Sequence, residues 1–222
     1  MNIQRKEWSG EFGKEYTIRN TFLIESTDKF DFDNWNNITL KEFGITQTEI
    51  NNYFLNDIDI DTILEVGSNV GAQLNCFEKM KSFSRIYGLE LQRYAISKSR
   101  EMFPKANFDI IQGFAENIPF KDAFFDLVAT NGLLIHISPD NINKVLDEIY
   151  RCSSKYIFGC EYYDDQYINI DYRGYEELLW RGNFPSMYLD RFHDLHIVKR
   201  KKFIGIVDNS HIYDVYLIKK SM

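Results

Sequence analysis

Ile63-Leu64-Glu65-Val66-Gly67-Ser68-Asn69-Val70-Gly71 decides the fold of this chain. An apolar run reaches an acidic residue, then a glycine, a polar turn and a second glycine. A helical pattern continues from Val70 to Met80. A buried strand turns into a helix in this way beneath a nucleotide-like ligand. Gly67 permits a sharp turn and lets a ligand approach bare backbone. The helix behind it aims unpaired N–H groups at that ligand. Ser68, Asn69 and Gly71 complete the turn and are candidate contacts.

A second apolar run, Ile86-Tyr87-Gly88-Leu89, ends in Glu90, 25 residues after Glu65. An acidic residue at about this distance from such a turn belongs on a ribose. It can accept charge-assisted hydrogen bonds from both hydroxyls. A dinucleotide site fits less well, because Asn69 takes the middle position of the glycine pattern that holds a pyrophosphate. Glu65 also sits poorly beside a pyrophosphate and well beside a cation. S-adenosylmethionine supplies two cationic groups, a sulfonium and an ammonium.

Beyond residue 62 the pattern alternates. Strands are expected at 62–66, 86–90, 107–111, 125–130 and 155–161, with helices at 70–80, 92–102 and 139–152. Ser138-Pro139 suits the cap and first position of the third helix. Such alternation implies a parallel α/β sheet with both faces covered and a ligand at the strands' carboxyl ends. One domain is expected. Residues 1–60 form an N-terminal cap with short helices near 14–25 and 46–55, the second capped by Thr46 or Thr48. Residues 61–163 form the cofactor-binding core, 164–193 an inserted helical lid, and 194–222 a C-terminal hairpin with strands near 196–205 and 211–219.

The 222 residues carry a net charge of −7, which argues against extensive contact with a phosphate backbone. The one basic block, Lys199-Arg200-Lys201-Lys202, reads as the solvated start of a strand. Aromatic residues reach 16%, enough for an aromatic-rich pocket as well as a core. Cys76, Cys152 and Cys160 have no metal-ligand spacing, so no metal site is expected. With no secretory apolar segment or membrane-spanning run, a cytoplasmic protein with reduced thiols is expected.

From about Thr62 to Glu161 the chain resembles the class I S-adenosylmethionine-dependent methyltransferases. Glu65 to Gly71 looks like their first motif and Glu90 like the acidic end of their second strand. Gly113-Phe-Ala-Glu116-Asn-Ile-Pro119-Phe-Lys-Asp122-Ala-Phe-Phe125-Asp126 is similar to their third and fourth motifs. The resemblance implies a Rossmann-like, mostly parallel seven-stranded sheet whose last strand is antiparallel. It also implies S-adenosyl-L-methionine as cofactor. The family's adenine-binding Asp is Phe114 here, so the adenine edge is expected on backbone near Ala115 and Glu116 with Phe114 on the ring. Trp8-Ser-Gly10-Glu-Phe12-Gly13-Lys-Glu-Tyr16-Thr-Ile-Arg19-Asn20, Leu134-Ile-His136-Ile-Ser-Pro139-Asp140 and Tyr172-Arg173-Gly174-Tyr175 resemble the pseudaminic acid biosynthesis-associated methylases. That likeness points to nonulosonic acid or surface-glycan biosynthesis.

Methyl transfer needs two reactants held in line, and a base only where the acceptor loses a proton. His136, just past the fourth strand, is the candidate base, and its apolar neighbours equally suit a structural histidine. Asn131 at that strand's end faces the methionine part. Glu161, Tyr162 and Tyr163 end the fifth strand and could grip a polar acceptor, Tyr162 near the chemistry. Arg173 and Arg181 in the lid could pair with an acceptor carboxylate or phosphate. Tyr16 and Arg19, one helical turn apart, could close over the cofactor's amino-acid part. The expected function is methyl transfer to a small, polar, anionic acceptor. The alternatives are a cofactor-binding protein without catalysis, or a protein or nucleic-acid methyltransferase. The sequence carries no statement of oligomeric state.

Overall fold

The computed structural model describes residues 3–21, 23–24 and 29–221. Seven strands make the central sheet: β1 Thr62–Val66, β2 Arg85–Glu90, β3 Phe108–Gln112, β4 Phe125–Asn131, β5 Ser153–Tyr162, β6 Leu195–Ile204 and β7 Ile212–Lys220. Their order is β6-β7-β5-β4-β1-β2-β3. Strands β1 to β5 pair in parallel, and β7 runs antiparallel to both β5 and β6. The chain therefore winds outward in both directions from β1. The crevice at the carboxyl ends of β1 and β4 is where a ligand belongs in such a sheet.

The helices of the described residues are α1 Ile3–Ser9, α2 Glu11–Arg19, α3 Phe32–Asn36, α4 Ile38–Phe43, α5 Gln47–Leu55, α6 Ala72–Met80, α7 Arg93–Met102, α8 Pro139–Cys152 and α9 Phe184–Arg191. The alternation of β1 sorts the two faces. Leu64 and Val66 join the cluster packed under α8, with Ile142, Val145, Leu146 and Ile149. Ile63 joins the other cluster, with Ile50 and Phe54 of α5 and Leu74 and Phe77 of α6. Glu65 is two residues from Ile63, so it shares the α5–α6 face.

Several sequence expectations need correction. The first N-terminal helix was expected near 14–25. It runs Glu11–Arg19, stops at Asn20, and is preceded by α1. Residues 22 and 25 lie outside the described residues. Thr46, and not Thr48, caps α5, closing a capping box with Glu49, while Thr48 bonds Asn36. Ser138 takes the cap position of α8 without a side-chain cap bond; its hydroxyl instead accepts from Asn141 Nδ2 at 2.9 Å. Most of the lid is irregular chain and turns. Ile168–Asn169 pairs with Trp180–Arg181, Tyr172 bridges Tyr175, and only Phe184–Arg191 is helical. The basic block lies in the middle of β6. There Arg200 pairs with buried Asp214 at 2.7 Å, and Lys202 sits 3.2 Å from the Tyr163 ring centroid.

Candidate active site

The turn after β1 adopts the backbone that the sequence requires. Gly67, Asn69 and Gly71 have φ of 77°, 46° and 87°, in the left-handed region. Asparagine tolerates that region better than most side chains. Gly67 and Ser68 donate backbone N–H bonds to the Leu89 carbonyl, which ties the turn to the end of β2. A Cβ at Gly67 would meet Leu133 Cδ1 at 2.7 Å. Gly71 is the αL cap of α6 and packs on Phe108; it is not on the cavity wall.

A cavity of about 590 Å³ opens at the carboxyl ends of β1, β2, β4 and β5. Glu65, Gly67, Ser68, Asn69, Glu90, Phe114, Ala115, Asn131, Tyr16 and Arg19 all line it, so ten of the eleven expected cofactor contacts meet there. Glu90 accepts from Asn69 N at 2.8 Å and from Gln92 N at 2.7 Å, one bond on each carboxylate oxygen. Burial raises its pKa against the pull of those N–H groups. Burial, with Glu90 close by, pushes the Glu65 carboxyl well above the usual carboxylate range. Glu65 Oε2 is buried and has no hydrogen-bond partner. Ser68 Oγ, Gln73 Oε1, Thr39 Oγ1 and Trp8 Nε1 also line the cavity, buried and unpartnered. Phe114 lies on the wall with the Arg5 guanidinium 4.1 Å from its ring centroid, and Arg5 pairs with Glu116 at 3.4 Å.

The N-terminal helices roof the cavity through polar ties that sequence reading did not find. Gln92 Nε2 donates to Gly10 O at 2.9 Å, Thr17 Oγ1 to Asn69 Oδ1 at 3.1 Å, and Ser138 N to Gln4 Oε1 at 3.0 Å. Gln4 also donates to the His136 carbonyl. Gly13 lets α1 and α2 meet closely, since a Cβ there would lie 1.9 Å from the Trp8 carbonyl oxygen. Burial raises the Tyr16 hydroxyl's pKa, so it stays protonated.

His136 sits on the wall, its ring 4.4 Å from that of Trp8 and 5.6 Å from that of Tyr172. Its Nδ1 lies 2.7 Å from the Leu178 carbonyl, which makes Nδ1 the protonated nitrogen and leaves Nε2 bare. Burial pushes the imidazole down to about 4. A group so reluctant to take a proton is a weak base at neutral pH. Glu161 is fully buried and holds the turn that carries His136, accepting from Leu133 N at 3.3 Å and Ile135 N at 3.4 Å. Burial pushes it up to about 7.

The expected acceptor contacts divide. Glu161, Tyr162 and Arg173 are on the wall; Tyr163 and Arg181 are not. Tyr163 follows Tyr162 on extended chain and so turns the opposite way, bonding Asp165 beneath Lys202. The Arg181 guanidinium donates to the Ser210 carbonyl at 2.9 Å. Arg173 and Gly174 form the two-residue tip of a hairpin, both with positive φ. Arg173 is exposed and makes no ion pair among the described residues. Two further wall residues, Glu42 and Tyr213, went unnoticed in the sequence. Tyr213 donates to Asn131 Oδ1 at 2.8 Å, and Glu42 pairs with His211 at 3.2 Å. Burial pushes the Tyr162 hydroxyl up to about 12.

A model of the methyltransferase domain matches residues 64–155. An uncharacterized methyltransferase of Synechocystis sp. is 28% identical over 71 residues, 32% of each chain, so the match spans about a third of that relative. Among solved structures, a methyltransferase of Haloferax volcanii in complex with the Trm112 activator has a TM-score of 0.70 at 12% identity, covering 98% of this chain and 97% of that one. Burkholderia thailandensis 1,6-didemethyltoxoflavin-N1-methyltransferase, solved with 1,6-didemethyltoxoflavin and S-adenosylhomocysteine, has a TM-score of 0.60 at 15% identity, covering 79% and 76%. The fold is that of these methyltransferases, and S-adenosylmethionine is the domain's cofactor.

The residues present fit it. An unpartnered carboxylate oxygen at Glu65 suits an ammonium, the free lone pairs of Glu90 suit a ribose diol, and bare backbone at Gly67 allows close approach. When bound, the cofactor supplies an electrophilic methyl group. The chain's own part would be to hold its amino-acid end at Glu65, exclude water beneath the roof, and present polar groups of β4, β5 and β7 to an acceptor.

Proposed function

We propose that the protein transfers a methyl group from S-adenosylmethionine to a small, polar acceptor. One observation carries the reading. The cavity lies beneath the N-terminal helices, and beyond the cofactor contacts its wall continues as hydrogen-bonding side chains, Tyr162, Tyr213 and Glu42. A space of about 590 Å³ shared with the cofactor suits a metabolite better than a polypeptide or nucleic-acid strand. The net charge of −7 weighs further against nucleic acid.

The acceptor's anionic character rests on Arg173, which is exposed at the hairpin tip over the cavity and has no acidic partner there. An acidic sugar of nonulosonic acid or surface-glycan biosynthesis would meet that requirement, as the sequence resemblance suggests. His136 then serves to shape the wall, and the Tyr162 hydroxyl, which burial keeps protonated, serves as a hydrogen-bond donor to the acceptor. A cell extract supplied with methyl-labelled cofactor tests the reading. Label is expected in a small acidic product, and Arg173→Ala is expected to raise KM for it about tenfold with the cofactor's affinity unchanged. Label in nucleic acid or protein would overturn the small-acceptor reading. Cofactor binding with no labelled product would favour a non-catalytic role.

A further inference from the structure

The α5–α6 face of the cavity floor holds a polar cluster that the turn motif does not include. Gln73 in the first turn of α6 is 3% exposed, and Asn51 of α5 is fully buried. Asn51 Oδ1 accepts from Gln73 Nε2 at 3.0 Å and from Gln47 Nε2 at 3.2 Å. Asn51 Nδ2 donates to Cys76 Sγ at 3.2 Å. These bonds fix the direction of the Gln73 amide. Turning it over would set Oε1 against Asn51 Oδ1, two acceptors with no proton between them. Gln73 Oε1 is left on the cavity wall, buried and without a partner, on the same face as Glu65 Oε2, which is in the same condition.

We propose that Gln73 is a cofactor-binding residue, its amide oxygen receiving the ammonium of the cofactor's amino-acid part together with the Glu65 carboxylate. This rests on the cofactor assignment made above. Buried acceptors without partners are costly, and these two share a wall with the unpartnered Ser68 and Thr39 hydroxyls. With Glu65 ionised both atoms can only accept, so their ligand must bring hydrogens. A hydroxyl offers one hydrogen and satisfies one of them. An ammonium offers three and satisfies both, with charge matched to Glu65. Asn51 then acts as a positioning residue, holding the amide so that its oxygen faces the ligand.

Titration calorimetry of the full chain tests the assignment with two ligands. They are S-adenosylhomocysteine and its deaminated analogue, which keeps the carboxylate and lacks the amino group. Gln73→Leu is expected to weaken S-adenosylhomocysteine at least about tenfold and the deaminated analogue less than about twofold. Gln73→Met serves the same purpose if the leucine variant does not fold. Equal losses on both ligands, or no loss on S-adenosylhomocysteine, would overturn the role of Gln73. Wild-type protein that binds neither ligand would overturn the cofactor assignment, and this inference with it.

Discussion

Glu65, Glu161 and His136 lie on one cavity wall, and burial drives all three toward their neutral forms. The consequences for pH run in opposite directions. The folded pKa of Glu161 is raised from its ordinary value of 4.5 to about 7. Its contribution to stability is full below the ordinary value and is lost as pH climbs toward 7. The folded pKa of His136 is depressed from 6.5 to about 4, so its contribution is present above 6.5 and lost as pH falls toward 4. Thermal melts of the cofactor-free protein should therefore lose their acid limb in His136→Gln and their loss of stability toward neutrality in Glu161→Gln. Unaltered profiles in both variants would remove the two groups from the linkage. Glu65 titrates from a raised value and pairs with a cation only when ionised, so cofactor affinity should rise with pH. In Glu65→Gln that dependence should flatten and affinity at neutral pH should fall by about 10- to 100-fold, measured by calorimetry. The turn residues were legible because apolar run, acid and glycine are neighbours in the chain. Gln73 and Gln92 were not, since their meaning depends on Asn51 and on the Gly10 carbonyl, which only the fold brings near.

Among the elements, the strands of the parallel sheet were the most legible. Most are short apolar runs, with β3 half exposed at the sheet edge, and the predicted starts and ends fall within one or two residues for all five. The lid was not, because the pairing of Ile168–Asn169 with Trp180–Arg181 is set by contacts across a loop, and its composition lacks a period. Tyr163 could have been excluded from the sequence alone. Once Tyr162 faces the cavity, its neighbour on extended chain faces away. The roof has its own weak point. Gly13→Ala would drive a methyl group into the Trp8 carbonyl and part α1 from α2. Hydrogen exchange across residues 8–20 is expected to accelerate in that variant, and cofactor to bind more weakly, while the melting of the sheet changes little. Wild-type exchange there should slow when cofactor binds. Identical exchange in all three conditions would leave the N-terminal helices a scaffold only.

In the whole molecule, two flaps far apart in the chain meet over the cavity. Phe12 of α2 lies 6.2 Å from Tyr172 and 5.1 Å from Tyr175 of the hairpin, centroid to centroid. The hairpin also brings Tyr172 against His136. Cofactor would lie beneath the first flap and acceptor beneath the second, an arrangement that excludes water from both. Among the described residues no helix is long and apolar enough to cross a membrane. The assignment of this cavity to S-adenosylmethionine is the claim on which the rest depends. A crystal structure of the full chain grown with S-adenosylhomocysteine tests it most directly. Density is predicted in the cavity with the ribose hydroxyls on Glu90, the amino group at Glu65 and the adenine beside Phe114. Ligand density anywhere else, or none at a saturating concentration, would contradict the account.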